Sequence, residues 1–183
     1  MSTLLRFDDI ALRRGGRLLF DGLTLELAAG EALRIAGPNG SGKSSMIRLA
    51  AGLLRAERGR VQRSPLALAD DSLALDRELP LGRSLAFWGE APEEWLEKIG
   101  IRQLSEIPVR LLSSGQQKKA ALARVFASKT PLWLLDEPLN ALDSDGTARL
   151  DAIIRGHLQR GGAVLAASHQ PLPGDWRTLE LGE

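Results

Sequence analysis

No cysteine and no tyrosine occur in this sequence, and there are only two histidines. Without cysteine, disulfides and thiolate metal sites are excluded, and nothing in the chain demands an oxidising compartment. The formal net charge is only +1, so the balance carries no basic footprint for nucleic acid. No stretch approaches the roughly 20 apolar residues that a membrane-spanning helix needs. The start, Met1 to Ile10, carries Asp8 and Asp9 and no long apolar run, so it does not read as a signal peptide. If the protein works at a membrane, the expectation is that another chain holds it there.

What is present fits one ordinary globular domain. The 183 residues are long enough to bury a sizeable core, and 44% of them are hydrophobic against 26% charged. Two strand-like runs open the chain, near Leu4–Leu12 and Leu18–Leu27. In the second, Leu23, Leu25 and Leu27 alternate with Thr24 and Glu26, which suits a half-exposed antiparallel strand. Arg14 to Arg17 encloses Gly15 and Gly16 and signals a turn. Ala32 to Ala36 is a short strand leading into a glycine-rich loop. Beyond it, Met46, Ile47, Leu49, Ala50, Leu53 and Leu54 recur at helical spacing. Gln62 sits on the edge of a further strand.

The middle of the chain, roughly Asp70 to Leu112, reads differently, with Trp88, Trp95, several prolines and clustered acids. It predicts a helical insertion with helices near Leu81–Gly89 and Pro92–Ile99, followed by a helix from Ser114 to Ser128. Leu132 to Leu135 is a short apolar run ending in acids, as buried parallel strands are. A helix over Ser144–Gln159, a strand at Ala163–Ala167 and a weaker strand at Trp176–Leu181 complete the alternation. Alternating strands and helices imply an α/β fold with a mostly parallel sheet. No internal repeat, low-complexity segment or appended C-terminal domain is expected.

The loop Gly37, Pro38, Asn39, Gly40, Ser41, Gly42, Lys43, Ser44 matches G-x-x-x-x-G-K-[S/T] at every defined position. Glycines let backbone N–H groups crowd an anion without Cβ clashes, and the following helix points its positive end at the same place. In that motif Lys43 can reach the β- and γ-phosphates of a nucleotide, and the Ser44 hydroxyl can ligate Mg²⁺; Ser45 follows in the same turn. Strand before and helix after are the context this motif requires. The run Leu132 to Asp136 then buries four apolar residues and presents Asp136 at a strand's C-terminal end, where parallel sheets place ligands. Asp136 suits Mg²⁺, which takes few carboxylates and several waters. Glu137 beside it is the candidate to polarise an attacking water. A solvated acid at a strand end is the plain alternative, and the nearby loop outweighs it.

Three further segments narrow the kind of P-loop protein. Leu112-Ser113-Ser114-Gly115-Gln116-Gln117 opens a helix with its N–H groups free to meet an anion. Asn140-Ala141-Leu142-Asp143 follows the acidic strand end. Ser168-His169-Gln170 follows the last core strand. Asn140 to Asp143 superficially suggests a guanine-reading motif, but it lacks the lysine and follows the acidic strand too closely.

Together these residues resemble the nucleotide-binding subunits of ABC transporters, over essentially the whole chain and in the same order. The resemblance implies a P-loop NTPase of ABC type: a mixed, mostly parallel sheet, N-terminal antiparallel strands and an inserted helical subdomain at about 70–128 of a single domain, 1–183. It implies ATP and Mg²⁺ as ligands, with Gly37 to Ser44 as Walker A and Leu132 to Asp136 as Walker B. Glu137 becomes the catalytic glutamate and His169 the switch histidine. Leu112 to Gln116 become the signature, whose Ser113, Ser114, Gly115 and Gln116 meet a nucleotide held by a second copy, and Asn140 to Asp143 the D-loop.

Ile107-Pro108-Val109, the doubled Gln116-Gln117, Lys118-Lys119 and Ser168 to Leu172 resemble the haem-exporter branch that serves cytochrome c maturation. This implies a homodimer of ATPase subunits on a CcmB-like integral membrane subunit, with further maturation proteins as partners. It places the subunit peripherally on the cytoplasmic face of the bacterial inner membrane, in contact with lipid only through its partner. A soluble ABC ATPase without transport, or one serving another substrate, is the alternative.

Two features of the family pattern are missing. The glutamine expected between Lys43 and the signature is replaced at Ser72, beside Asp70 and Asp71, because Gln62 comes too early. An aspartate near Mg²⁺, or slow hydrolysis, is the expected consequence. The aromatic that stacks on adenine is also absent, and its place near Arg13 or Arg14 is basic. A guanidinium plane is the replacement expected there.

Overall fold

The computed structural model describes residues 2–140 and 142–182. Strands β1 (Thr3–Arg14) and β2 (Arg17–Ala28) form an antiparallel hairpin. Both turn residues have positive φ, Gly15 at 54° and Gly16 at 79°, which matches the right-handed twist of the flanking strands. Strand β3 (Ala32–Ala36) and helix α1 (Lys43–Ala51) follow. The helix stops earlier than the apolar spacing through Leu54 suggests. Gly52, at φ 80°, caps α1 in the left-handed region, and Leu53 beyond it is exposed.

Strand β4 (Arg58–Arg63) pairs with the other side of β1, giving a three-stranded antiparallel sheet in the order β2-β1-β4. The sequence Arg-Gly-Arg-Val-Gln-Arg carries no apolar alternation, so only pairing with β1 defines this edge strand. Strands β5 (Leu66–Ala69), β6 (Leu132–Asp136), β7 (Ala163–Ala167) and β8 (Arg177–Glu180) join β3 in a second sheet. Its order is β5-β6-β7-β3-β8 and every pairing is parallel. The antiparallel strands therefore form a sheet of their own.

Between β5 and β6 the chain runs through α2 (Leu81–Ala86), α3 (Pro92–Ile99), two short 3-10 turns and α4 (Ser114–Ala127). Helix α5 (Ser144–Gln159) joins β6 to β7. Two apolar clusters lie on opposite faces of the parallel sheet. Along β6, Leu132 and Leu134 join one cluster with Met46, Ile47, Phe7 and Ile10, so α1 is held between the two sheets. Trp133 and Leu135 join the other, with Leu81, Leu96, Phe126 and Leu150 from the helices. Both faces of β6 are buried, which is why it reads as a continuous apolar run. Trp95 is half-buried against this second cluster, 6.2 Å from the Phe126 ring.

His157 of α5 is the structural histidine. Its ring stacks on Trp133 at 3.6 Å and 7°, and lies 3.2 Å from the Pro131 carbonyl oxygen. Burial pushes its pKa down to about 4, from an ordinary 6.5. Between those two values the unfolded chain binds the proton and the folded chain does not. The stabilisation is therefore complete above about pH 6.5 and is lost as pH falls toward 4. Between pH 7 and pH 5 we expect stability to fall by about 1 kcal/mol from this residue, allowing for partial water access. Denaturant melts at the two pH values check this. His157→Phe, which keeps a ring but cannot titrate, should flatten the difference.

Candidate functional site

The parallel strand order brings four strand ends side by side at one edge of the sheet: β5, β6, β7 and β3. Asp70 and Asp71 follow β5, Asp136 and Glu137 close β6, Ser168 and His169 follow β7, and the glycine-rich loop follows β3. Segments far apart in sequence thus converge where parallel α/β sheets bind ligands.

The loop is shaped by close approaches. Gly37 has φ 137°, and a Cβ there would run into the Leu181 carbonyl. Gly42 has φ 107°, and a Cβ would press on the Phe20 ring at 3.0 Å. Lys43 is buried, and its Nζ donates to the carbonyl oxygens of Gly37 at 2.7 Å and Pro38 at 3.0 Å. The ammonium is thereby held inside the loop. Ser41 is buried too, and its Oγ finds no hydrogen-bond partner among the described residues. A cavity of about 490 Å³ opens over the loop, lined by Arg14, Arg17, Leu19, Asn39, Gly40, Gly42, Lys43, Ser44, Ser45 and Glu137.

The Ser44 hydroxyl donates to Asp136 Oδ1 at 3.1 Å. Burial raises the Asp136 carboxyl above its ordinary pKa; the Ser44 hydrogen bond and Lys118 oppose this, while Asp71 and Glu137 push it further up. A hydroxyl and a carboxylate in a site crowded with negative charge make a hard-oxygen donor set. That set fits Mg²⁺, with waters and substrate oxygens completing the shell.

Glu137 has φ 49°, unusual for a residue with a side chain and costing about 1 kcal/mol or more. Its own N–H donates to the Ala167 carbonyl at 2.8 Å, which anchors that bend to β7. The bend carries the carboxylate off the strand and onto His169, whose Nδ1 lies 2.8 Å from Glu137 Oε2. The Gln170 side-chain amide lies 3.2 Å from His169 Nε2.

The structure thus gathers the loop, Asp136, Glu137 and His169. It leaves Ser113, Ser114, Gly115 and Gln116 elsewhere. Ser113 caps α4 in a capping box: its Oγ accepts from the Gln116 N–H, and Gln116 Oε1 accepts from the Ser113 N–H. Ser114 lines a separate cavity with Asp70, Asp71, Gln117 and Lys118. Asp143 accepts from the Gly146 N–H at 2.8 Å and caps α5; Ala141, within the same expected segment, lies outside the described residues.

Beside Ser72, the exposed Asp71 has its Oδ1 3.9 Å from Lys118 Nζ, which donates to the Asp136 carbonyl at 2.9 Å. Ser72 instead closes a turn, its N–H donating to Asp70 Oδ1. Lys118 was readable as the residue one turn beyond Ser114, on the same helical face. Arg13 does not line the cavity; it lies 3.8 Å from Glu57 and donates to the Gly16 carbonyl. Successive residues of a strand point to opposite faces, and β1 gives the cavity Arg14.

The sequence pattern of the ABC transporter family matches residues 20–140. The chain belongs to the ABC transporter family, in its CcmA branch. It is 51% identical over 177 residues to the "Cytochrome c biogenesis ATP-binding export protein CcmA" of Sphingopyxis alaskensis, covering 92% of this chain and 91% of that one. Identity to the protein of the same name from Novosphingobium aromaticivorans is 54% over 170 residues, 90% of this chain and 87% of that one. The ABC fold is shared with "Structure of ATP binding subunit of ABC transporter", at TM-score 0.82 and 23% identity over 91% of this chain and 80% of that chain. It is also shared with a putative ABC transporter ATP-binding protein from Pyrococcus furiosus, at TM-score 0.83 and 18% identity, covering 98% of each chain. This ABC subunit is an ATPase, a hydrolase by class.

Proposed function

We propose that this ABC ATPase drives export in c-type cytochrome biogenesis, as a homodimer seated on an integral membrane subunit, with haem as the exported molecule. The observation that carries the dimer is the separation of the signature from the loop cavity of its own chain. In the proposed dimer each ATP lies between the Gly37–Ser45 loop of one copy and Ser113, Ser114, Gly115 and Gln116 of the other. Lys43 and the loop N–H groups meet phosphate charge, and Ser44 and Asp136 would hold Mg²⁺. When bound, Mg²⁺ supplies positive charge against the β- and γ-phosphate oxygens. Glu137 orients the attacking water, and His169 holds the Glu137 carboxylate until substrate arrives. The work of these residues is positioning and electrostatic stabilisation.

The membrane partner is supported by an exposed apolar patch on the helical segment, within residues 70–128. Phe87 is 87% exposed, and it lines a cavity of about 330 Å³ with Leu79, Arg83, Ser84 and Trp88. Among the described residues no helix is long and apolar enough to cross a membrane, so a peripheral position at the cytoplasmic face requires such a partner. The test is co-purification from detergent with a multi-span membrane protein, together with phosphate release. We expect Phe87→Ser/Trp88→Ser to lose the partner and keep ATP binding. Hydrolysis by a protein that recovers no membrane partner would instead support a soluble ABC ATPase.

A further inference from the structure

Arg124 of α4 is 6% exposed, and among the described residues no carboxylate pairs with it. Its Nε finds no hydrogen-bond partner there either. Burial pushes its pKa below the ordinary value, and Asp70, just past β5, opposes this. Taking a guanidinium out of water is costly, and an apolar side chain of similar length would fill the same space at lower cost. What Arg124 makes in return is two contacts. It donates to the Leu68 carbonyl of β5, and its guanidinium carbon lies 4.8 Å from the centre of the Trp88 ring, as a cation–π pair. Trp88 itself is partly exposed, with its ring edge-on to Phe87 at 6.1 Å.

A second cation ties the same helix to the sheet. Lys118 lies six residues earlier on α4, about 9 Å along its axis. Its side chain is largely buried, and its Nζ donates to the Asp136 carbonyl at the end of β6. The Asp136 carboxylate in turn accepts from Ser44. Strands β5 and β6 are neighbours, with Leu68 opposite Leu134. Helix α4 is thus pinned at two points to adjacent strands, and one of the pins also holds Trp88. We infer that Arg124 and Lys118 are positioning residues through which α4 couples the Phe87 and Trp88 patch to the Ser44–Asp136 pair. A partner that moves Trp88 acts on Arg124, and α4 carries that displacement to the Asp136 backbone. The inference rests on the proposed partner patch and on reading Gly37–Ser44 as the phosphate-binding loop. Coupling between sites is reciprocal. A nucleotide at the loop therefore acts on the patch, and Trp88 reports it without the partner.

The test is tryptophan fluorescence of the full chain, titrated with Mg²⁺ and a non-hydrolysable ATP analogue. Emission should change on saturation, and Trp88→Phe should remove the change. Arg124→Met should also remove it, with nucleotide affinity within about threefold of wild type, less than the roughly fivefold at which couplings between sites usually begin. Arg124→Lys keeps the charge and a donor for the Leu68 carbonyl, and should restore part of the response. Lys118→Met should remove the response from the other end of the helix, and Lys118→Arg should keep it. Far-ultraviolet circular dichroism verifies each fold. A response that survives both methionine variants, or nucleotide binding with no Trp88 response in the wild-type protein, overturns the coupling alone. A lower melting temperature for Arg124→Met with its Trp88 response intact makes Arg124 a purely structural residue and overturns the coupling too. Failure of the wild-type protein to bind the analogue overturns the phosphate-loop reading and the coupling with it. A Phe87→Ser/Trp88→Ser protein that keeps its membrane partner overturns the patch, by a separate readout.

Discussion

A Glu137→Gln protein is expected to bind ATP with near wild-type affinity and to hydrolyse it at least ~100-fold more slowly, the scale of a lost general base. It should then persist as an ATP-bound dimer that the wild-type protein reaches only in passing. The geometry motivates this. Glu137 is held at φ 49°, with its backbone tied to β7 and its carboxylate on His169 Nδ1. Glutamine has the same length and keeps an acceptor oxygen for His169, so binding and folding should survive. What it loses is the negative charge that polarises water. Single-turnover phosphate release measures the rate, and size-exclusion chromatography in Mg-ATP measures the dimer. Rapid turnover by this variant would remove Glu137 from the role.

Lys43→Ala is expected to act one step earlier. ATP affinity should fall ~100-fold or more and turnover should become undetectable, because charged hydrogen bonds are worth about 1.5–3 kcal/mol each. Lys43 Nζ is already bound to the Gly37 and Pro38 carbonyl oxygens in a buried loop, so the ammonium is in place before substrate arrives. Alanine leaves those oxygens facing the phosphates with no cation between them. Equilibrium binding and steady-state phosphate release check the two effects. ATP binding that survives Lys43→Ala would contradict the phosphate-loop reading. The two variants thus separate binding from hydrolysis at one site.

Much of this site was legible in the sequence because its parts are local. The loop needs glycines at left-handed backbone positions between a strand and a helix, and Gly37, Gly40 and Gly42 stand there. Strands β6 and β7 are buried on both faces, so they appear as apolar runs whose ends mark Asp136 and Ser168. Ser113 and Gln116 form a capping box three residues apart, which sets the start of α4. Each feature depends on neighbours within a few residues along the chain.

The rest depends on groups brought together across the fold, and no local pattern encodes them. Strand β4 exists because β1 offers it an edge, although its own residues are mostly arginine. Of two adjacent arginines, pleating sends Arg14 to the cavity, while Arg13 goes to Glu57. Lys118 of α4 lies between two segments distant in sequence, 3.9 Å from Asp71 and donating to the Asp136 carbonyl. Phe87 is exposed while Trp95, in the same insertion, is half-buried against the cluster that holds Phe126. The pairing of Glu137 with His169 spans the ends of two strands, with the Glu137 backbone at φ 49° tied to Ala167 of β7. By itself the sequence determined which chemistry this chain carries, because motif residues act through local backbone geometry. Tertiary structure decided which side chains face that chemistry, because strand order and helix packing set side-chain direction over long distances.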